Sequence, residues 1–107
     1  MSPRDYLGEF EMVVMLTLLH LEDEAYGMTI RLEIEKRTER AVSIGAVYTT
    51  LRRLKRKGYV SSALGEPSPS RGGRAKKYFR LEPDGREALR RSREMFTSLW
   101  DDLPELG

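Results

Sequence analysis

Two short runs of β-favouring residues, Tyr59–Leu64 and Lys76–Leu81, limit the fold more than any other feature of this chain, because every other periodic stretch in it is helical. Between them lies Gly65–Ala75, whose three glycines and two prolines continue neither strand regularly. The pair is expected to form a hairpin with a long, mobile, basic tip. With 107 residues there is room for one domain and one modest core. The expected fold class is therefore mainly α with a small β-hairpin.

Three helices are expected before the hairpin. Phe10–Leu21 is apolar on nearly every face and too short to span a bilayer, which suits a helix packed on two sides. One side would meet the chain's own core and the other a partner subunit. Glu22–Glu24 interrupts it, and Asp23 is a candidate N-cap for the next helix. There Tyr26, Ile30 and Ile34 recur at spacing four and form one inward stripe. Gly27 costs about 1 kcal/mol of helix propensity relative to alanine. Either close approach of another backbone offsets that cost or the glycine is simply tolerated.

The third helix is expected to start after Ser43, a good N-cap residue, and to stop at Gly58. Val47, Leu51 and Leu54 form its buried stripe. Small and hydroxylated residues fill the first two turns of its other faces, where a helix can approach base edges. Arg52, Arg53, Lys55, Arg56 and Lys57 crowd the last two turns. Those cations either reach phosphates or form a solvated helix end favoured by the C-terminal dipole.

After the hairpin, Pro83 suits a first helical turn, with Asp84 and Glu87 near the positive dipole end. Leu89, Ser92, Phe96, Leu99 and Leu103 follow at alternating steps of three and four, and Met95 and Trp100 widen the stripe. Such a helix of roughly 20 residues extends ~30 Å, longer than a core this small can cover. A coiled-coil-like seam of this kind needs a partner, and a second copy of the chain is the simplest one. The expected organisation is a winged helix-turn-helix unit over residues 1–82 and a C-terminal dimerisation helix over 83–107, forming one compact unit.

Charge is unevenly distributed. Residues 1–42 hold 5 Lys and Arg against 9 Asp and Glu, residues 43–80 hold 10 against 1, and residues 81–107 hold 4 against 7. Like charges packed into a middle third repel unless a polyanion offsets them, which makes nucleic acid the leading partner. With no cysteine and only His20, thiolate chemistry, zinc spacing and a Ser-His-Asp triad lack their raw material. No enzyme, metal or cofactor is expected. No run of ~18 uncharged apolar residues is present, and Met1–Asp5 does not resemble a signal peptide, so a cytoplasmic location away from membranes is expected. A phosphate-binding loop is also unsupported, because the G-x-x-x-x-G-K-[ST] spacing is absent.

A helix pair followed at once by a basic hairpin describes a winged helix-turn-helix, whose third helix enters the major groove while the wing reaches the backbone or minor groove. The stretches Leu7–Glu11 (LGEFE), Ala25–Met28 (AYGM), Val42–Leu54 (VSIGAVYTTLRRL), Lys57–Val60 (KGYV) and Gly72–Leu81 (GGRAKKYFRL) resemble the PadR family of bacterial transcriptional regulators. The resemblance runs from about residue 6 to 103 and implies a dimeric repressor of the family's shorter form, with a single C-terminal helix. Some members respond to small aromatic or cationic ligands. Glu82-Pro83-Asp84-Gly85 stands where the family commonly has Thr-Pro-x-Gly, so acidic charge must substitute for the threonine cap. A ligand site is expected between subunits.

The expected mechanism is occupancy of a pseudo-palindromic operator in double-stranded DNA by two recognition helices and two wings. Ser43, Tyr48, Thr49, Arg52 and Arg53 are the candidate contacts of the recognition helix, with Tyr48 assigned to phosphate or sugar. Arg71, Arg74, Lys76 and Lys77 would neutralise phosphates from the wing, and Arg71 or Arg74 would enter the minor groove. For Lys76 and Lys77 the plain alternative is edge protection of a strand. The homodimer interface is assigned to Leu89, Ser92, Phe96, Leu99, Trp100 and Leu103, with Phe96 and Trp100 the candidates for a small aromatic or cationic effector. The favoured alternative for Trp100 is that it fills a dry interface. The alternative function is a winged-helix module that binds an acidic protein partner.

Overall fold

The computed structural model of the chain describes residues 6–66 and 75–104. Among the described residues, four α-helices and one hairpin follow in the order α1 (Glu9–Leu21), α2 (Gly27–Thr38), α3 (Ile44–Arg56), β1 (Val60–Leu64), β2 (Lys77–Leu81) and α4 (Pro83–Trp100). A 3₁₀ turn, Glu22–Glu24, joins the first two helices. β1 and β2 pair antiparallel in a register that sets Val60 opposite Leu81 and Leu64 opposite Lys77. The tip with Arg71 and Arg74 lies outside the described residues.

The core sits where α1, α2 and α3 meet the root of the hairpin. Val14 and Met15 of α1, Ile30 and Ile34 of α2, and Val47, Leu51 and Leu54 of α3 are fully buried there, with Val60, Phe79 and Leu81 closing the sheet side. Among the described residues no helix is long and apolar enough to cross a membrane.

The ends of α3 follow from its sequence. The Ala46 amide donates to Ser43 Oγ at 3.0 Å, which satisfies one of the free amides of the first turn. At the other end Gly58 takes φ +78°, the Tyr59 amide donates to the Leu54 carbonyl and the Gly58 amide to the Lys55 carbonyl. These two bonds make a Schellman turn, which needs a left-handed residue and so favours glycine.

α2 starts later than Asp23 suggests, with Tyr26 as its N-cap residue. The reason is tertiary. The Phe79 amide donates to the Ala25 carbonyl at 2.8 Å, and Tyr26 forms a β-bridge with Tyr78, so Ala25 and Tyr26 are held extended beside β2. The helix can begin only beyond them. Thr29 caps it from inside, accepting from the Tyr26 amide at 3.0 Å. Tyr26 accordingly leaves the inward stripe that Ile30 and Ile34 keep, and packs its ring edge-on to Tyr78. Gly27 is required by a side chain rather than by another backbone: a Cβ there would lie inside contact distance of the Tyr48 phenol.

α4 has Pro83 in its first turn and Glu82 as its N-cap residue, without a side-chain cap. The Glu82 carboxylate accepts from Ser61 Oγ at 2.7 Å instead, and its amide donates to the Tyr59 carbonyl at 2.8 Å. Gly85 lets the first turn close onto that carbonyl. Only the first half of α4 rests on the domain, through Gly85, Ala88 and Ser92. The helix ends at Trp100, and Asp102 takes φ +61°. Leu103 is thus off the helix and does not extend the stripe, because Pro104 disfavours helical backbone in the residue before it.

Candidate nucleic-acid interface

The outward side of α3 and the near face of β2 enclose an open groove of about 470 Å³ lined by Tyr48, Arg52, Lys55, Arg56, Lys77 and Phe79. Tyr48 forms its floor, with its ring edge-on to Phe79 at 6.3 Å between centroids and its hydroxyl end over Gly27. The tyrosine is therefore half-buried and fixed in place, whereas Thr49, Arg52, Arg53 and Arg56 are exposed along the helix. Lys55 Nζ reaches Ser62 Oγ across the groove at 2.8 Å, and Arg52 leans on Thr49 Oγ1 at 3.4 Å. Ser43 is exposed at the start of the same helix, with its hydroxyl occupied in capping.

Charge pairing separates this face from the rest of the surface. Among the described residues, no carboxylate pairs with Arg52, Arg53, Lys55, Arg56, Lys76 or Lys77. Elsewhere Arg31 meets Glu35 at 3.4 Å, Arg37 meets Glu33 at 2.5 Å, Arg40 meets Glu9 at 2.9 Å and Arg90 meets Glu94 at 2.7 Å. A face of unpaired cations beside a helix with small residues in its first turns suits a phosphate backbone flanking a groove.

The sequence-derived site residues divide. Ser43, Tyr48, Thr49, Arg52, Arg53 and Lys77 lie on α3 or face it from β2. Lys76 does not join them, since residues one apart near a strand point to opposite faces. Its ammonium stacks over the Tyr26 ring at 4.0 Å from the centroid, on the far side of the wing. Lys57, one of the five cations closing α3, is also removed from the face. It lies seven residues after the buried Thr50, on the same side of the helix, and its Nζ meets Glu11 Oε2 at 2.8 Å. Burial pushes the Glu11 carboxyl up, but hydrogen bonds from Lys57 and the Gly8 amide and the charges of Lys57 and Arg53 outweigh it, so the group is held below its ordinary value.

A second groove, about 430 Å³ and mostly apolar, opens between α1 and α4. Met12, Leu16, Leu19, Leu89 and Phe96 line it, with Arg86, Arg90 and Arg93 around them. Leu16 is 48% exposed and Phe96 42%; one turn further on, Leu99 and Trp100 are more exposed still. Ser92 is covered by its own chain and Leu89 is half-buried against the core, so neither stands in the open part of the stripe. Leu16 and Leu19 complete the face from α1. The uninterrupted apolarity of that helix was their signal in the sequence. Tyr26 and Tyr78, which support Lys76 and the root of the wing, left no such signal, because the bridge between them joins segments far apart in the chain.

The family model described as "Transcriptional regulator PadR-like family" matches residues 15–91. The fold is similar to that of a PadR-like transcription factor from "bacteroid fragilis", at 30% identity over 90% of this chain and 85% of that one, with a TM-score of 0.73. It is also similar to a PadR family transcriptional regulator from Eggerthella lenta DSM 2243, at 26% identity over 87% and 80% of the two chains, TM-score 0.68. F93 from STIV, a winged-helix DNA-binding protein, shares the fold at 18% identity over 92% and 99% of the two chains, TM-score 0.69. No curated protein matches the chain significantly.

Proposed function

The chain belongs to the PadR-like family of transcriptional regulators, and from that membership we propose that it is a homodimeric repressor that occupies a pseudo-palindromic operator in double-stranded DNA. The observation that carries this reading is the groove of unpaired cations between α3 and β2. Thr49 and the first turns of α3 read base edges. Arg52, Arg53, Lys55, Arg56 and Lys77 neutralise phosphates, and Tyr48 holds the helix against the wing. Arg71 and Arg74, which lie outside the described residues, are assigned further phosphate contacts on their charge alone.

Dimerisation is supported by the apolar groove between α1 and α4, whose exposed leucines and Phe96 a second copy would cover, with Leu99 and Trp100 continuing the contact. In this arrangement α3 and the hairpin read DNA, while α4 together with the outer side of α1 brings two copies together. A flat aromatic or cationic effector would act at Phe96 and Trp100, changing the spacing of the two recognition helices. The working location is the cytoplasm, where the operator is.

Selection of bound fragments from a random duplex pool, followed by titration over a range of salt, tests the reading. The selected duplex should bind more tightly than a scrambled one, and log K should fall against log[salt] with a slope near −7 if the dimer neutralises about eight phosphates. Equal, salt-insensitive binding to both duplexes would favour a module for an acidic protein partner instead.

A further inference from the structure

α1 packs against two functional regions from opposite sides. Met12, Leu16 and Leu19 face the apolar groove, while Glu11, Val14 and Met15 face inward, towards the core that α3 shares. The only ion pair between α1 and α3 among the described residues is Glu11 with Lys57. Glu11 is 5% exposed and Lys57 is the C-cap residue of α3.

The pair is tightly defined. One Glu11 oxygen accepts from the Gly8 amide at 2.8 Å, which closes the first turn of α1, and the other accepts from Lys57 Nζ at 2.8 Å. Both oxygens of one carboxylate thus tie the start of the groove-facing helix to the end of the cation-bearing one. Lys57 is placed to hold α3 in position and faces away from the groove between α3 and β2. Glu11 is the buried member, whereas 29% of the Lys57 side chain is exposed, so removing the lysine leaves a buried carboxylate without its charged partner.

We infer that Glu11 is a positioning residue for the recognition helix, acting through Lys57, and that this pair couples α1, with the subunit-facing groove on its other side, to the orientation of α3 on DNA. The inference rests on the DNA-binding reading above. It predicts that loss of either member lets α3 settle at a different angle, so that base contacts suffer while the number of phosphates neutralised does not change.

The test compares the full chain with its Lys57→Gln and Glu11→Gln variants and with the exchanged pair Glu11→Lys, Lys57→Glu, on a duplex selected by the wild-type chain and on a scrambled one. Lys57→Gln should lower the ratio of selected to scrambled affinity about tenfold. The slope of log K against log[salt] should stay at the wild-type value, and Glu11→Gln should act in the same direction. The exchanged pair should recover part of the ratio, which a loss of packing alone would not do. Arg52→Gln is the control for a phosphate contact and should reduce the slope by about 2 per dimer. A Lys57→Gln slope reduced like that of Arg52→Gln would make Lys57 a phosphate contact and overturn the inference, as would an unchanged affinity ratio. If the wild-type chain itself showed no preference for its selected duplex, the DNA-binding reading would fall first and this one with it.

Discussion

At the scale of single residues, Gly27 and Glu11 show how local rules yield to contacts made elsewhere. Helix propensity alone makes Gly27→Ala favourable by about 1 kcal/mol. The Tyr48 phenol occupies the space the methyl would need, and Phe79 packs against that ring. We therefore expect Gly27→Ala to destabilise the fold by about 1–3 kcal/mol, measured by urea unfolding, through overpacking of Tyr48. An unchanged or raised midpoint would show that the ring moves away freely. Glu11 gives a pH dependence of definite sign. Its carboxyl is held below the ordinary value of 4.5 by Lys57, the Gly8 amide and Arg53, against the opposing effect of burial. Its contribution is thus present above that pH and is lost as pH falls through the lower, folded value. The stability difference between wild type and Glu11→Gln should be constant near neutrality and shrink only below pH 4.5. A difference that stays flat down to acid unfolding would mean the ion pair is not formed in solution.

Among the elements, α3 is the one whose sequence and structure agree most closely. Its cap, its buried stripe and its Schellman end all use residues within one or two turns of one another, so local chemistry suffices to set them. Ser43→Ala should cost about 1 kcal/mol in unfolding experiments, since the Ala46 amide loses its acceptor. A cost near zero would imply that water replaces the hydroxyl. α2 behaves differently. Asp23 has the chemistry of an N-cap, yet the sheet draws Ala25 and Tyr26 into extended backbone and displaces the helix start. α4 ends before Leu103 because Pro104 follows it, a signal that is present in the sequence but is masked by the regular three-and-four spacing from Leu89 to Leu103.

For the whole molecule, the two grooves lie on different surfaces and differ in chemistry: the cationic one is formed by α3 and β2, the apolar one by α1 and α4. Leu16 lies on α1 and remote from α3's outward side, so Leu16→Glu should leave the fold and the cationic face intact while opposing coverage of the apolar groove. Sedimentation should then give a monomer, and operator affinity should fall on the order of a hundredfold as the two half-sites cease to be bound together. A Leu16→Glu chain that sediments as a dimer of unchanged affinity would place the interface elsewhere.

The mainly helical class, the hairpin, both ends of α3 and the basic character of the middle third were legible in the amino-acid order, because each follows from period, capping chemistry or charge within a short window. Which cations share a face depended on long-range packing. Lys57, itself exposed, pairs with Glu11, 46 residues away in the chain, and Lys76 crosses to Tyr26 while its neighbour Lys77 stays beside α3. A count of charges along a chain carries no direction; a side chain's partner is fixed only when distant segments are brought together. The same holds for Gly27 and for the late start of α2, where the deciding atoms belong to Tyr48 and to β2.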